Sequence, residues 1–335
     1  MMQQKEYDAV MRFEKSRIAV IGDLMLDVYL WGSVTRISPE APVPVVNVKK
    51  RTCCLGGAAN VMRNIATLGG HAEAFGAIGD DESGREIIAG LKSFGIAPSG
   101  IVTAPSRRTT EKCRVVAGAQ QLLRADFEDA AALEQDLRQV MVDKINSMIE
   151  KKQIDAVIFD DYAKGVLSSW MLENIIANAG KHGVFTILDP KPKAGGVTAV
   201  KGLTLLKPNR NEAFALSGVH DNGPADDPSQ DHALLEAAEK IHEIWEPEYL
   251  LVSLAAQGMA IFRNGELENI IPTRAREVFD VSGAGDTVAA TCSLALASGC
   301  DITLAAEIAN HAAGVVVGKI GTAPILKEEL LAVLD

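Results

Sequence analysis

Asp280-Val281-Ser282-Gly283-Ala284-Gly285-Asp286-Thr287 runs directly into the small-residue, helix-forming segment 288–298 (VAATCSLALAS). A glycine-rich turn feeding a helix seats the carboxylate of Asp286 at the helix start. The first turn of a helix carries backbone N–H groups with no intrahelical partner and the positive end of the macrodipole, so it favours an anion such as a transferring phosphoryl group. Gly283 and Gly285 permit that anion to come close to the backbone. Taken alone, an Asp here is also an ordinary helix-start residue, so the reading depends on the rest of the chain.

Outward from this turn, short β-rich runs alternate with helical patterns, which predicts an α/β fold with a mostly parallel sheet covered by helices on both faces. Strands are expected at 17–22 (RIAVIG), 74–79, 156–160, 185–189 and 203–206, and helices at 84–94 and 133–151, with a glycine turn entering a helix over 56–68. Asp23, Asp27, Asp160, Asp161 and Asp189 recur near strand ends. In such sheets the ligand crevice lies beyond the carboxyl ends of the strands. Two stretches, 43–50 and 109–117 with its continuation through 121–127, break the alternation. Residues 43–50 (VPVVNVKK), 109–117 and 121–127 read as extended strands without long helices between them, so an accessory sheet is expected from lid strands at about 28–50 and 108–127. Such a sheet serves as a lid, an oligomer interface, both, or a structural flap. Residues 220–231 read as an exposed loop, and one domain over 1–335 is the expected organisation.

A chain of 335 residues can bury a large core. It has no apolar run of about 18 residues, and residues 1–15 are too charged for a secretory h-region, so no membrane partner and a cytoplasmic location are expected. The five cysteines, Cys53, Cys54, Cys113, Cys292 and Cys300, show no Cys-x-x-Cys spacing and are expected as reduced thiols. A net charge of -11 argues against a nucleic-acid partner, while leaving room for a small anion in a local basic pocket.

Two further motifs carry chemistry. Gly56-Gly57-Ala58-Ala59-Asn60 places an amide, able to donate and accept, on the first turns of a helix. Lys207-Pro208-Asn209-Arg210-Asn211-Glu212 places Asn209 and Glu212 on one helical face, suited to Mg²⁺-bound waters, although the same tetrapeptide is a capping box. No G-x-x-x-x-G-K-[ST] loop occurs, and neither does the His-Arg-Asp or Asp-Phe-Gly signature of protein kinases.

The ordered set Gly56-Gly57-Ala58-Ala59-Asn60, Asn209-x-x-Glu212 and Asp280-x-x-Gly283-Ala284-Gly285-Asp286-Thr287 resembles the ribokinase (PfkB) family of carbohydrate kinases. Residues 22–27, 36–45, 120–124, 161–165 and 313–319 are similar to the branch of that family acting on a heptose, and the likeness spans about 17–322. The resemblance implies a ribokinase-like three-layer α/β/α sandwich with a small β-sheet lid. It implies ATP and Mg²⁺ as cofactors, and phosphorylation of the anomeric hydroxyl of D-glycero-β-D-manno-heptose 7-phosphate for ADP-heptose and lipopolysaccharide core supply. Asp286 is then the general base, and the amides of Gly283, Ala284, Gly285 and Asp286 form the anion hole. Asp27, Gly56, Gly57 and Asn60 bind the sugar. Arg36, Arg124 and Lys164 are candidates for the 7-phosphate, Asn209 and Glu212 for the outer shell of Mg²⁺, and Ser253, Gly258 and Asn310 for the nucleotide.

Two departures stand out: Ala255-Ala256 where relatives carry more polar residues, and Cys53-Cys54 where a proline is expected. Relatives of this branch are often fused to a nucleotidyltransferase. The chain contains no His-x-Gly-His, so the kinase activity alone is expected, with a separate nucleotidyltransferase in the pathway and a homodimer formed through the lid. Kinases of a pentose, a keto-deoxy acid or a nucleoside satisfy the same motifs, and a non-catalytic nucleotide or sugar sensor keeps the same fold.

Overall fold

The structure, a computed structural model, describes residues 2–118, 120–192, 195–275, 277–319 and 321–334. Met1, Ala119 and Asp335, which belong to the expected domain or lid, lie outside the described residues. The strands are β1 (Arg17–Gly22), β2 (Leu24–Ile37), β3 (Pro44–Gly57), β4 (His71–Ile78), β5 (Gly100–Thr103), β6 (Thr110–Ala117), β7 (Gln120–Phe127), β8 (Ala156–Asp160), β9 (Phe185–Asp189), β10 (Leu205–Leu206), β11 (Tyr249–Ser253), β12 (Met259–Arg263) and β13 (Glu266–Ile271). The helices are α1 (Met2–Arg12), α2 (Ala58–Thr67), α3 (Glu82–Ser93), α4 (Gln135–Glu150), α5 (Ser169–His182), α6 (Arg210–Ser217), α7 (His232–Trp245), α8 (Ala284–Ala297), α9 (Ile302–Val316) and α10 (Lys327–Leu334).

Nine strands form the main sheet in the order β13-β12-β11-β10-β9-β8-β1-β4-β5. Its pairs from β11 through to β5 are parallel, and β12 and β13 add an antiparallel edge. Parallel strands buried on both faces need near-continuous apolar sequence, which Ile18 to Ile21 and Ala156 to Phe159 supply with every residue fully buried. Two apolar cores result. One packs α2, α8 and α9 on a first face of the sheet, and the other packs α4, α5 and α7 on the second. Helix α8 is built from small side chains and buried all round, as a helix enclosed by neighbours must be.

A second sheet, ordered β3-β2-β6-β7, makes the lid. β2 and β3 form a long antiparallel ribbon from Leu24↔Gly57 to Ile37↔Pro44, and β6 joins β2 in parallel. The ribbon explains why the expected strand at 43–50 extends to Gly57: pairing with β2 continues to the main sheet, so the glycine pair ends a strand instead of forming a free turn. Val34, Ile37, Val48, Leu123 and Phe127 leave apolar side chains exposed on the lid. α1, a helix not among those expected from the sequence, packs against α10 and is held by Ala9 and Val10 in the first core. The five cysteines are free thiols. No helix among the described residues is long and apolar enough to cross a membrane.

Candidate active site

Helix α8 starts at Ala284 with Gly283 as its N-cap, which makes Asp286 its third residue. Gly283 holds φ at 79°, and a Cβ there would stand 2.8 Å from the Asn60 amide nitrogen, so the turn requires glycine on both backbone and packing grounds. Asp286 is buried, yet each carboxylate oxygen has a donor: Asn60 Nδ2 donates to Oδ2 at 2.7 Å and the Tyr162 hydroxyl donates to Oδ1 at 2.8 Å. Burial raises its pKa, and these two hydrogen bonds with the charge of Lys207 oppose the rise.

The parallel register brings further charge to this point. Gly22 lies beside Asp160, and Asp160 beside Asp189, at the carboxyl ends of β1, β8 and β9. Carboxylate oxygens of Asp160, Asp189 and Asp286 lie within 4.8 Å of one another. Lys207, at the end of β10, is buried and sets its ammonium 2.8 Å from Asp189. That ammonium is 3.6 Å from where a Cβ on Gly285 would stand, so it faces the helix start. Burial moves Asp189 up to about 6 against the pull of Lys207. Asp160 is pushed further, by burial first and then by Asp286 and Asp189, and neither of its oxygens has a hydrogen-bond partner. Asp23 and Asp161, of the same sequence pattern, are otherwise employed. Asp23 accepts from the backbone N–H groups of Tyr162, Lys164 and Val166, and Asp161 from those of Ala163 and Val197, which fixes the loop carrying Tyr162.

A crevice of about 990 Å³ opens from the turn of Gly283 to Asp286 toward Asn209, Ser253, Gly258 and Asn310. That volume is at the upper end of small-molecule sites. Asn209 and Glu212 form the capping box: Asn209 Oδ1 accepts from the Glu212 N–H and a Glu212 carboxylate oxygen accepts from the Asn209 N–H, both at 3.0 Å. The other Glu212 oxygen takes a 2.8 Å ion pair from Lys191. Ala255 and Ala256 give the crevice an apolar wall, and Asn310 Nδ2 donates to the Pro272 carbonyl.

On the lid side, Asp27 accepts from Arg114 at 2.6 Å and from the Thr322 hydroxyl at 3.1 Å. A Cβ on Gly56 would approach Asp27 Oδ2 to 2.7 Å, so a larger residue there would displace this carboxylate. Of the expected phosphate residues, Lys164 is buried and paired with Glu128 at 2.6 Å, and Arg124 is exposed in a two-point pair with Asp126. Arg36 departs from expectation. It is exposed, nine residues beyond Asp27 along β2, which at about 3.3 Å per residue sets it roughly 25 to 30 Å from that carboxylate. A sugar bound at Asp27 is out of its reach within one chain. Asn60 also differs from its expected role, being fully buried with its amide donating to Asp286 and its oxygen accepting from Arg63.

The model of the pfkB family of carbohydrate kinases matches residues 15–329. The chain belongs to that family. It is a phosphotransferase acting on a sugar hydroxyl. Over 323 residues, 96% of this chain and 64% of the relative, it is 42% identical to the bifunctional protein HldE of Magnetococcus marinus. It is also 43% identical over 321 residues to the bifunctional protein HldE of Helicobacter pylori, covering 95% of this chain and 66% of that one. The chain thus spans about two thirds of the length of these relatives. Among solved structures, ribokinase of Arabidopsis thaliana complexed with ribose and ATP superposes with a TM-score of 0.70 at 18% identity, covering 95% of this chain and 98% of that one. Phosphofructokinase-2 of Escherichia coli in complex with potassium gives 0.71 at 21% identity, with 95% and 98% covered. These two establish the ribokinase-like fold.

Sequence reasoning on this pfkB family chain passed over four residues of the site. Tyr162 and Lys207 lie within quoted motifs, but nothing in their spacing marks them as neighbours of Asp286. Arg114 is found only by aligning β6 with β2, where it stands two residues beyond Lys112, the partner of Asp27. Thr322 comes from a segment far along the chain.

Proposed function

We propose that this kinase transfers the γ-phosphoryl group of ATP to the anomeric hydroxyl of D-glycero-β-D-manno-heptose 7-phosphate, giving the 1,7-bisphosphate and ADP. The observation that carries the reading is Asp286, buried at the first turn of α8 and held by two donors, between the large crevice and a lid end rich in cations. The likeness to the HldE proteins and the heptose-branch segments of the sequence support this sugar over others.

ATP occupies the crevice, with its γ-phosphoryl at the N-terminus of α8, and the sugar lies between Asp27 and Asp286 beneath the lid. Asn60 and Tyr162 orient the Asp286 carboxylate. As the anomeric oxygen attacks phosphorus, its proton passes to Asp286 and the β,γ-bond breaks to release ADP. Such general-base assistance is worth about 10²- to 10⁴-fold. The amides at Gly283 to Asp286 and the Lys207 ammonium meet charge developing on the transferred group. Arg114 and Thr322 fix Asp27 toward the sugar hydroxyls.

The family implies Mg²⁺, and the donor set suits it: oxygen ligands, the partnerless Asp160 carboxylate and the adjacent Asp189. Asp160 and Asp189 would hold the ion, with Glu212 and Asn209 reaching it through water. When bound, it neutralises charge on the nucleotide phosphates. Organisation as one kinase domain with its lid, a homodimer through the exposed apolar residues of that lid, a cytoplasmic location and a separate nucleotidyltransferase complete the reading.

A panel of acceptors assayed with ATP tests it. Heptose 7-phosphate should give the highest kcat/KM. A pentose, keto-deoxy acid or nucleoside outpacing it would replace the substrate assignment, and binding without turnover of any acceptor would replace the catalytic one.

A further inference from the structure

Four cations gather where the lid meets the main sheet, and three of them are paired. Arg114 holds Asp27 at 2.6 Å, Arg124 holds Asp126 at 2.7 Å, and Lys164 holds Glu128 at 2.6 Å. The fourth, Lys112, has no carboxylate partner among the described residues. Its ammonium lies over the ring of Tyr162, 5.2 Å from the centroid. It stands in register with Asp27 on one side and Asp126 on the other, so an ammonium with no carboxylate of its own lies at the strand position beside the proposed sugar. We propose that Lys112 is the principal ligand of the phosphate carried at the far end of the sugar from the reacting hydroxyl, a role that rests on the sugar-phosphate reading above.

The charge balance supports this. Each of the three pairs is neutral, so the cluster carries one net positive charge in a half-buried place beside three other cations. Burial lowers the ammonium pKa; Asp27 opposes that, and Arg124, Arg114 and Lys164 add to it. Holding an unpaired cation there is unfavourable unless an anion arrives. A phosphate monoester dianion meets the unpaired Lys112 directly and is reached by the neighbouring guanidinium groups without breaking their pairs.

Distance adds a second argument. Tyr162 carries Lys112 on its ring and donates its hydroxyl to Asp286 at 2.8 Å. With about 2.8 Å from ring centre to phenolic oxygen, the ammonium lies no more than about 11 Å from the base. A hexose or heptose phosphate, roughly 9 Å from anomeric oxygen to terminal phosphorus by its bond lengths, is long enough to touch the base at one end and the ammonium at the other. Tyr162 thereby spans the two ends of one substrate.

The test is the substitution Lys112→Met, which keeps a long apolar stem over Tyr162 and removes the charge, with Lys112→Arg as its charge-retaining control. For heptose 7-phosphate, KM should rise at least tenfold in the Met variant and return to within a few-fold of wild type in the Arg variant. The KM for ATP and the KM for the same heptose without its phosphate should hold within about twofold. An unchanged KM for the phosphorylated sugar, or an equal rise for both sugars, would overturn the assignment. Should the Met variant fail to fold, Lys112→Gln answers the same question. If wild type ignores heptose 7-phosphate but takes another sugar phosphate, the substrate reading falls and the same ratios on that acceptor decide Lys112. If it accepts only unphosphorylated sugars, Lys112 has no such role.

Discussion

Asp160→Asn puts the electrostatics of the site to a quantitative test. The wild-type side chain is 1% exposed with both oxygens partnerless, and burial, Asp286 and Asp189 raise its pKa well above 3.8. An unfolded Asp ionises near its ordinary value while the folded one keeps its proton, so the folded state binds more protons and stability falls as pH rises. The slope is about 1.4 kcal/mol per pH unit until the folded pKa is reached. Each pH unit between the two pKa values therefore costs wild type about 1.4 kcal/mol, which the neutral amide does not incur. Against it stands about 1 to 3 kcal/mol for burying an amide with no partner. The variant should therefore be the less stable protein near pH 4.5 and gain on wild type as the pH rises. With an unfolding entropy of about 2.1 cal/mol/K per residue, the difference in melting temperature should shift by about 2 °C per pH unit in that window. Calorimetric melting of metal-free protein in chelator, without nucleotide, reads this directly. A difference independent of pH would show that Asp160 is ionised in the fold, and the reasoning would fail.

Asp286→Asn should lower kcat by about 10²- to 10⁴-fold with ATP binding preserved, since the amide still accepts from Tyr162 but cannot take the proton; more than a tenth of the activity remaining would remove Asp286 from the role. Because the carboxylate is the working form and its pKa is raised by burial, kcat/KM should fall as pH drops through a limb lying above the ordinary carboxylate range, and Tyr162→Phe, which deletes a stabilising donor, should move that limb higher. Glu212→Gln retains the capping geometry, so melting should change by no more than about 0.5 kcal/mol while the Mg²⁺ concentration for half-maximal rate rises; a stability loss alone would leave Glu212 only its cap. Gly283→Ala, at positive φ and against the Asn60 amide, should cost about 1 to 2 kcal/mol of stability and reduce kcat more than the KM for sugar.

The parts of this molecule governed by local rules were readable from the chain. The runs at 17–22, 156–160 and 185–189 are apolar on both faces and became β1, β8 and β9 with the expected bounds. The glycine turn before Asp286 needs nothing beyond its own residues to seat a carboxylate at a helix start. What could not be read depends on register. Arg36 and Arg114 are both arginines on polar lid strands, and only the strand pairing shows that Arg114, two residues past the partner of Asp27 on β6, reaches that carboxylate while Arg36 pairs with Val45 far along the ribbon. The Asn209 and Glu212 motif left two readings open, and the structure contains the capping box without disposing of the other. Lys207 and Asp189 are neighbours because β9 and β10 are parallel, a long-range fact that no periodicity reveals.

The contacts around the sugar end join distant parts of the chain: Asn60 to Asp286 across 226 residues, and Asp27 to Thr322 across 295. Arg63 also donates to the Thr322 carbonyl, tying α2 to the same segment. Loops of such length are closed late, after local helices and neighbouring strands have formed. During synthesis the β2–β3 ribbon leaves the ribosome early, yet Asp27 has no hydroxyl partner until Thr322 has emerged, and Asp286 no place in a helix until α8 has. Sugar affinity is thus a property acquired at the end of folding, and a sugar ligand added to a refolding protein should slow unfolding far more than it speeds folding.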